Sequence, residues 1–219
     1  MFSKKIFFTA SFILLFSCTS LLPTSTKYPS HWWKTVEKST APAWEILPQE
    51  AKPGEVILSK RNELGILSNF TLAPFKLDGT TYQSIEGFWQ MMLYPETKDD
   101  LRYNKKVTWK YTRQEVSQMV AFEAKMAGDL AENNMKILGI DWVTYQGKKF
   151  LYRSSKPLEH YELIKRAMMA KLEQNPKVKD ILLKTYPLVL KPDHHGEINA
   201  PKEWEYYNIW MEFRDQLKI

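Results

Sequence analysis

Phe75-Lys76-Leu77-Asp78-Gly79-Thr80-Thr81-Tyr82-Gln83-Ser84-Ile85-Glu86 holds the start of a fold in twelve residues. Phe75 to Tyr82 alternates around Asp78-Gly79, a pair that tolerates the left-handed backbone of a tight turn, so the stretch reads as a β-hairpin. Ser84 then offers the side-chain oxygen of an N-cap and starts a short helix that runs to about Leu93. Upstream, Val56-Ile57-Leu58 is a short apolar run suited to a buried strand. Downstream, Thr112-x-x-Glu115 is a capping box launching a long helix to about Asn133. Tyr161, Ile164, Met168 and Leu172 mark an amphipathic helix, Asn175-Pro176 starts another, and Pro201 precedes a last one from Glu203 to Leu217. Five helices after a small sheet make an α+β fold, mainly helical, in a single domain opened by a sheet or hairpin.

The N-terminus sets the compartment. Lys4 and Lys5 precede a largely apolar run from Ile6 to Phe16, and Leu15-Phe16-Ser17 leads into Cys18. Eleven residues are too few for a membrane-spanning helix, which needs about 20, so residues 1–17 read as a cleaved signal. Leu-Phe-Ser-Cys resembles the bacterial lipobox, where cleavage precedes a cysteine whose sulfur carries a diacylglycerol. Cys18 is the only cysteine, so no disulfide forms within the chain. The resemblance implies a lipid-anchored lipoprotein of the bacterial envelope. Residues 18–53 hold five of the twelve prolines and read as a tether. Trp32, Trp33 and Trp44 are costly in a free linker, so the second half of that tether is expected to pack on the domain or lie at the membrane interface. The domain proper runs over 54–219.

With 219 residues, 26% of them charged, and a mean hydropathy of −0.43, the chain is one globular domain with appendages, neither a polytopic membrane protein nor a disordered one. Without residues 1–17 it has 29 basic and 25 acidic side chains, +4 rather than +6. The basic runs Lys105-Lys106 and Lys148-Lys149 are short, unlike the clustered excess of a nucleic-acid binder. A phosphate-bearing small ligand stays compatible. Oligomeric state is left open.

Most standard catalytic motifs are absent: no phosphate-cradling Gly-rich loop, no Gly-x-Ser-x-Gly, no His-Glu-x-x-His. Asp193-His194-His195 has metal-ligand chemistry, with His160 as a possible third ligand, but a polar turn ending at Gly196 is the simpler reading; neither metal nor cofactor is called for.

Leu67-Ser68-Asn69-Phe70, Pro74-Phe75, Asp78-Gly79, Tyr82 and Ser84-Ile85-Glu86 followed by Gln90 resemble the opening signature of the NADAR superfamily of YbiA-like N-glycosidases. Ala124-Lys125-Met126-Ala127-Gly128, Asp141-Trp142, Met169-Ala170-Lys171-Leu172 with Gln174-Asn175-Pro176, Leu182-Leu183 with Thr185, and Met211 with Arg214 follow in the family's order, so the resemblance covers about residues 55–217. It implies cleavage of an N-glycosidic bond in phosphoribosylated intermediates of riboflavin synthesis, or removal of ADP-ribose from guanine. It also carries functional roles onto Glu86, Trp142 and Asp193. Three features depart from the family. Gly87 stands where a histidine is common, and Leu93 stands where a lysine that forms a Schiff base with opened ribose is usual. A segment with Trp204 and Tyr207 replaces the C-terminal Trp-Gly and Asn-x-Leu-Gly elements.

The chemistry can be argued from the residues alone. Breaking a ribose-to-base bond passes through an oxocarbenium-like state, which needs a carboxylate near the anomeric carbon and a donor that relieves charge on the departing base. Glu86 is the expected carboxylate, held ionised by the helix start at Ser84; merely capping that helix is its plainer role. Asp193 is the second acid, orienting water or a ribose hydroxyl, or a turn residue after Pro192. Asn69 is placed to bind a ribose or amide, Trp142 and Trp89 to stack on a base, and Lys60 and Arg61 to meet a phosphate. Turn-making, core packing and surface ion pairs are their respective alternatives. The expected function is hydrolysis of the N-glycosidic bond of a ribosyl-phosphate or ADP-ribosyl compound, with nucleic acid only as a modified substrate. The alternative is an inactive module that binds nucleotide-ribose compounds such as NAD or ADP-ribose.

Overall fold

The computed structural model describes residues 27–153, 158–196 and 200–217; the signal segment and Cys18 lie outside them. The hairpin forms in the expected register. β2 (Phe75–Leu77) pairs antiparallel with β3 (Thr80–Tyr82), with Phe75 opposite Tyr82, and Asp78 and Gly79 both turn at positive φ, 49° and 86°. α1 (Ile85–Met91) follows, its first turn capped by Ser84 Oγ, which accepts from the Gly87 amide at 2.9 Å. Every residue of α1 is buried, so this short helix is the centre of the core.

The long helix expected from Thr112 is two helices. The capping box starts α2 (Arg113–Ser117), but the chain leaves helical geometry and restarts as α3 (Ala121–Leu138), which ends on left-handed Gly139. The break is made by α1: Ser84 Oγ donates to the Met119 carbonyl at 2.9 Å, and that carbonyl lies where a Cβ on Gly87 would come within 2.4 Å. Thr112 and Glu115 could not reveal this contact, because it joins segments 35 residues apart. It also explains Gly87, where the backbone oxygen leaves no room for histidine or any other side chain.

α4 (Glu159–Gln174) and α5 (Pro176–Lys184) form as the sequence implied, and α6 (Tyr206–Gln216) follows a single turn at Lys202–Trp204. Two sheets differ from expectation. β1 (Glu55–Ile57) pairs in parallel with β6 (Val189–Lys191), a strand from the far end of the domain, and β4 (Trp142–Tyr145) pairs with β5 (Lys148–Leu151) as a second hairpin. Six α-helices and three two-stranded sheets, counted among the described residues, make a helix-dominated α+β fold.

Residues 28–53 lie against this domain. Trp32 is fully buried and its Nε1 donates to Glu63 at 2.7 Å, while Trp33 Nε1 donates to the Glu55 carbonyl at 2.9 Å. Burying these indoles with their N–H groups satisfied is what the tryptophan content demanded. No helix among the described residues is long and apolar enough to cross a membrane.

Candidate active site

Glu86 sits in the first turn of α1, where its amide donates to the Asn69 carbonyl at 2.9 Å. One turn on, Gln90 Nε2 donates to Glu86 Oε1 at 2.8 Å. Gln90 reaches this position because Gly128 of α3 has no side chain; a Cβ there would lie 1.9 Å from Gln90 Oε1. Burial pushes the Glu86 carboxyl up from its ordinary range, against the pull of the Gln90 hydrogen bond and the charges of Lys125 and His194. The helix start was expected to favour the ionised form of Glu86; burial pushes in the opposite direction.

The loop before the hairpin is clamped from behind. Trp210 Nε1 donates to the Leu67 carbonyl at 2.6 Å, and Lys171 Nζ donates to the Ser68 carbonyl at 2.8 Å. Lys171 is completely buried and pairs with no carboxylate among the described residues, so desolvation lowers its pKa to about 7. The clamp presents Asn69, whose Oδ1 is buried without a hydrogen-bond partner, as is Gln90 Oε1. Unpaired buried acceptors cost roughly 1–3 kcal/mol each. Gln90 Oε1 is packed against Gly128, whereas the Asn69 oxygen, beside the Glu86 amide, suits a ligand's hydroxyl or N–H donor.

Asp193 follows β6 and is also buried, yet its poise is opposite. Lys60 Nζ lies 2.5 Å from Oδ2 and His194 Nδ1 lies 3.1 Å from Oδ1. Burial alone would raise this carboxyl; the His194 hydrogen bond and the Lys60 charge overcome it and hold Asp193 below its ordinary range. His194 stacks on Tyr206, centroids 6.5 Å apart at 9°, and the Tyr206 hydroxyl is another buried group without a partner. Burial, reinforced by the Asp193 charge, pushes that phenol well up, so it stays a neutral donor. Lys60 therefore meets a carboxylate rather than standing free for phosphate. Arg61 does the same, gripping both oxygens of Glu45 at 2.6 Å.

The two tryptophans part company with this cluster. Trp89 is a core residue, edge-on to the His160 ring at 5.4 Å. Trp142 carries the Lys149 ammonium 4.1 Å and the Arg102 guanidinium 4.9 Å from its ring centroid. His160 pairs with Glu203 at 3.2 Å, away from Asp193-His194-His195, and no group of three His, Cys, Asp or Glu among the described residues is placed to hold a metal ion. The sequence reading missed Gln90, Lys171 and Tyr206 as site members. The i,i+4 spacing from Glu86 to Gln90 was a usable signal; nothing local marked the other two.

Fold and site together define a small α+β domain around two buried carboxylates poised in opposite directions. No family model matches the chain, and neither does any curated protein. Among solved structures the chain is similar to the NMR structure of the E. coli protein YbiA, at 20% identity and a TM-score of 0.41, covering 75% of this chain and 86% of that one.

Proposed function

We propose that this protein hydrolyses the N-glycosidic bond of a ribosyl-phosphate or ADP-ribosyl compound, with Glu86 and Asp193 as its two carboxyl groups. The observation that carries the reading is two buried carboxyl groups in opposite surroundings, Glu86 hydrogen-bonded by the neutral Gln90 amide and Asp193 paired with the Lys60 ammonium and His194, which pushes the first up and holds the second down. Carboxyl groups whose environments push their pKa values apart are how a site keeps one acid protonated and another ionised at one pH. Glu86 gives its proton to the base nitrogen as the bond to the anomeric carbon breaks with its electron pair going to the base. The Asp193 carboxylate stabilises the ribosyl cation and takes the proton that the adding water releases. The roles thus differ from those expected of an ionised Glu86. Asn69 Oδ1 accepts from a ribose hydroxyl.

Turnover of ADP-ribosylated guanosine and of a phosphoribosylated pyrimidine, followed by release of free base, tests the activity. Binding without release of base supports the second reading, a module that holds nucleotide-ribose compounds without cleaving them. One observation favours that second reading: Leu93, at the position of the resembled family's lysine, is a fully buried core residue. No Schiff base to ribose forms there.

The lipid anchor at Cys18 belongs to the same proposal. Wild type is expected to label with palmitate and partition with membranes, and Cys18→Ala to lose both, since acyl chains contribute about 0.8 kcal/mol per buried CH₂. Labelling that survives the substitution removes the anchor.

A further inference from the structure

Next to Lys60 and Asp193 runs a chain of three aromatic rings that the chemistry above does not use. Trp44 and Phe122 are 45% and 54% exposed, with centroids 6.1 Å apart at 62°. Phe122 in turn meets Phe70 at 5.3 Å and 85°, and Lys60 Nζ sits 5.1 Å from the Phe70 centroid. Each ring is held in place by structure that its neighbours do not explain. Phe70 is the next residue after Asn69, and its carbonyl accepts from the Ala121 amide at 3.0 Å. Ala121 adopts φ 51°, a left-handed geometry that costs a non-glycine residue of order 1 kcal/mol or more and that concentrates at functional sites. That turn starts α3 so that Phe122 lies on Phe70.

Trp44 comes from the segment read as tether, yet the two residues that follow it are fastened to the site. The Ile46 amide donates to the Asp193 carbonyl at 2.9 Å, Glu45 bridges His194 through the backbone, and the Glu45 carboxylate is locked to Arg61. A strap fixed to Asp193, His194 and Arg61 right after a half-exposed indole is no spacer. A groove of about 710 Å³ runs from Lys60, Phe70 and Phe122 towards Asn175 and Lys177; Trp44 stands beside its Phe122 edge and the two carboxyl groups do not line it.

We infer that Trp44, Phe70 and Phe122 form the subsite for the planar heteroaromatic base of the ribosylated ligand, with Trp44 supplied by the N-terminal strap. The inference rests on the proposed reading of the Glu86–Asp193 site, because continuity with that site is what makes the occupant a base rather than any apolar group. Ring faces bind bases of any sequence through stacking, and the unpaired oxygen of Asn69, next to Phe70, supplies polar fixation at the base-to-ribose junction. It places base recognition on the strap side of the site and leaves Trp142, already engaged by two cations, outside it.

Calorimetric titration of the full-length protein in detergent with ADP-ribose and with guanosine monophosphate tests this. Trp44→Ala is expected to weaken binding of at least one of the two about tenfold or more, Trp44→Phe to restore most of it, and Trp142→Ala to leave affinity within about twofold. Both Trp44 variants should melt within a few degrees of wild type, since the side chain is half exposed. Wild-type binding that Trp44→Ala leaves intact overturns the subsite while the reading of the Glu86–Asp193 site stands. Failure of wild type to bind either probe overturns both. Equal loss in Trp44→Ala and Trp142→Ala also overturns the assignment, because it locates no base on the strap.

Discussion

Lys60 Nζ lies 2.5 Å from Asp193 Oδ2 across 133 residues of chain, and the pair sits 30% and 2% exposed at its two ends. The ammonium faces solvent while the carboxylate is buried, so the cation guards the anion from above. In Lys60→Met the upward push of burial on Asp193 meets only the His194 hydrogen bond. The acid limb of the pH–activity profile should then move to higher pH, with turnover at neutral pH about tenfold lower. The sign for stability is that of a depressed carboxyl: its contribution is present above the ordinary carboxylate pKa and lost as pH falls through the folded value, so the variant should be less stable than wild type at neutral pH, with a deficit that shrinks as pH falls through the folded value. An unmoved acid limb would show that Asp193 is not held by Lys60.

Glu86 carries the opposite sign. A carboxyl raised by burial makes folding less favourable once pH exceeds its ordinary pKa, because the unfolded chain ionises first. Glu86→Gln keeps the acceptor for Gln90 and removes the charge. The variant should melt higher than wild type at pH 8 and about the same at pH 4, while turnover falls about 100-fold and ligand affinity persists. Full activity with unchanged melting at both pH values would remove Glu86 from the mechanism.

Gly128→Ala tests the seat of Gln90. The new Cβ would fall 2.3 Å from Gln90 Cδ, so the side chain has to swing off Glu86 Oε1. Alanine's higher helix propensity, worth about 1 kcal/mol over glycine, offsets part of the packing loss. Turnover should drop severalfold or more in a protein that still folds, as read by circular dichroism and kinetics. Wild-type turnover in a well-folded variant would mean that Gln90 does not position Glu86.

Lys171→Met isolates a buried cation. With its pKa lowered to about 7, the folded protein gives up this proton well before the unfolded chain does, so wild-type stability should climb as pH rises from about 7 towards 10. Below about pH 7 the folded state carries the full cost of the buried charge. The variant loses the hydrogen bond to Ser68 but also loses that cost. Its melting temperature relative to wild type should therefore be higher at pH 6 than at pH 9. A difference independent of pH would place the lysine's charge in water.

The amino-acid sequence alone determined the local pieces. Asp78-Gly79 turns the hairpin, Ser84 and Thr112 cap their helices, and Asn175-Pro176 separates α4 from α5, because turn geometry, capping and periodicity act within about four residues. Glu86, Asn69, Asp193 and Lys60 were legible as polar residues in suggestive places. Only the tertiary structure paired β1 with β6, broke the helix after Thr112, and fastened Glu45 and Ile46 beside Asp193. It also gave the two carboxyl groups opposite surroundings. Burial and a cation 133 residues away set a pKa through dielectric and distance, and neither is written within reach of the residue itself.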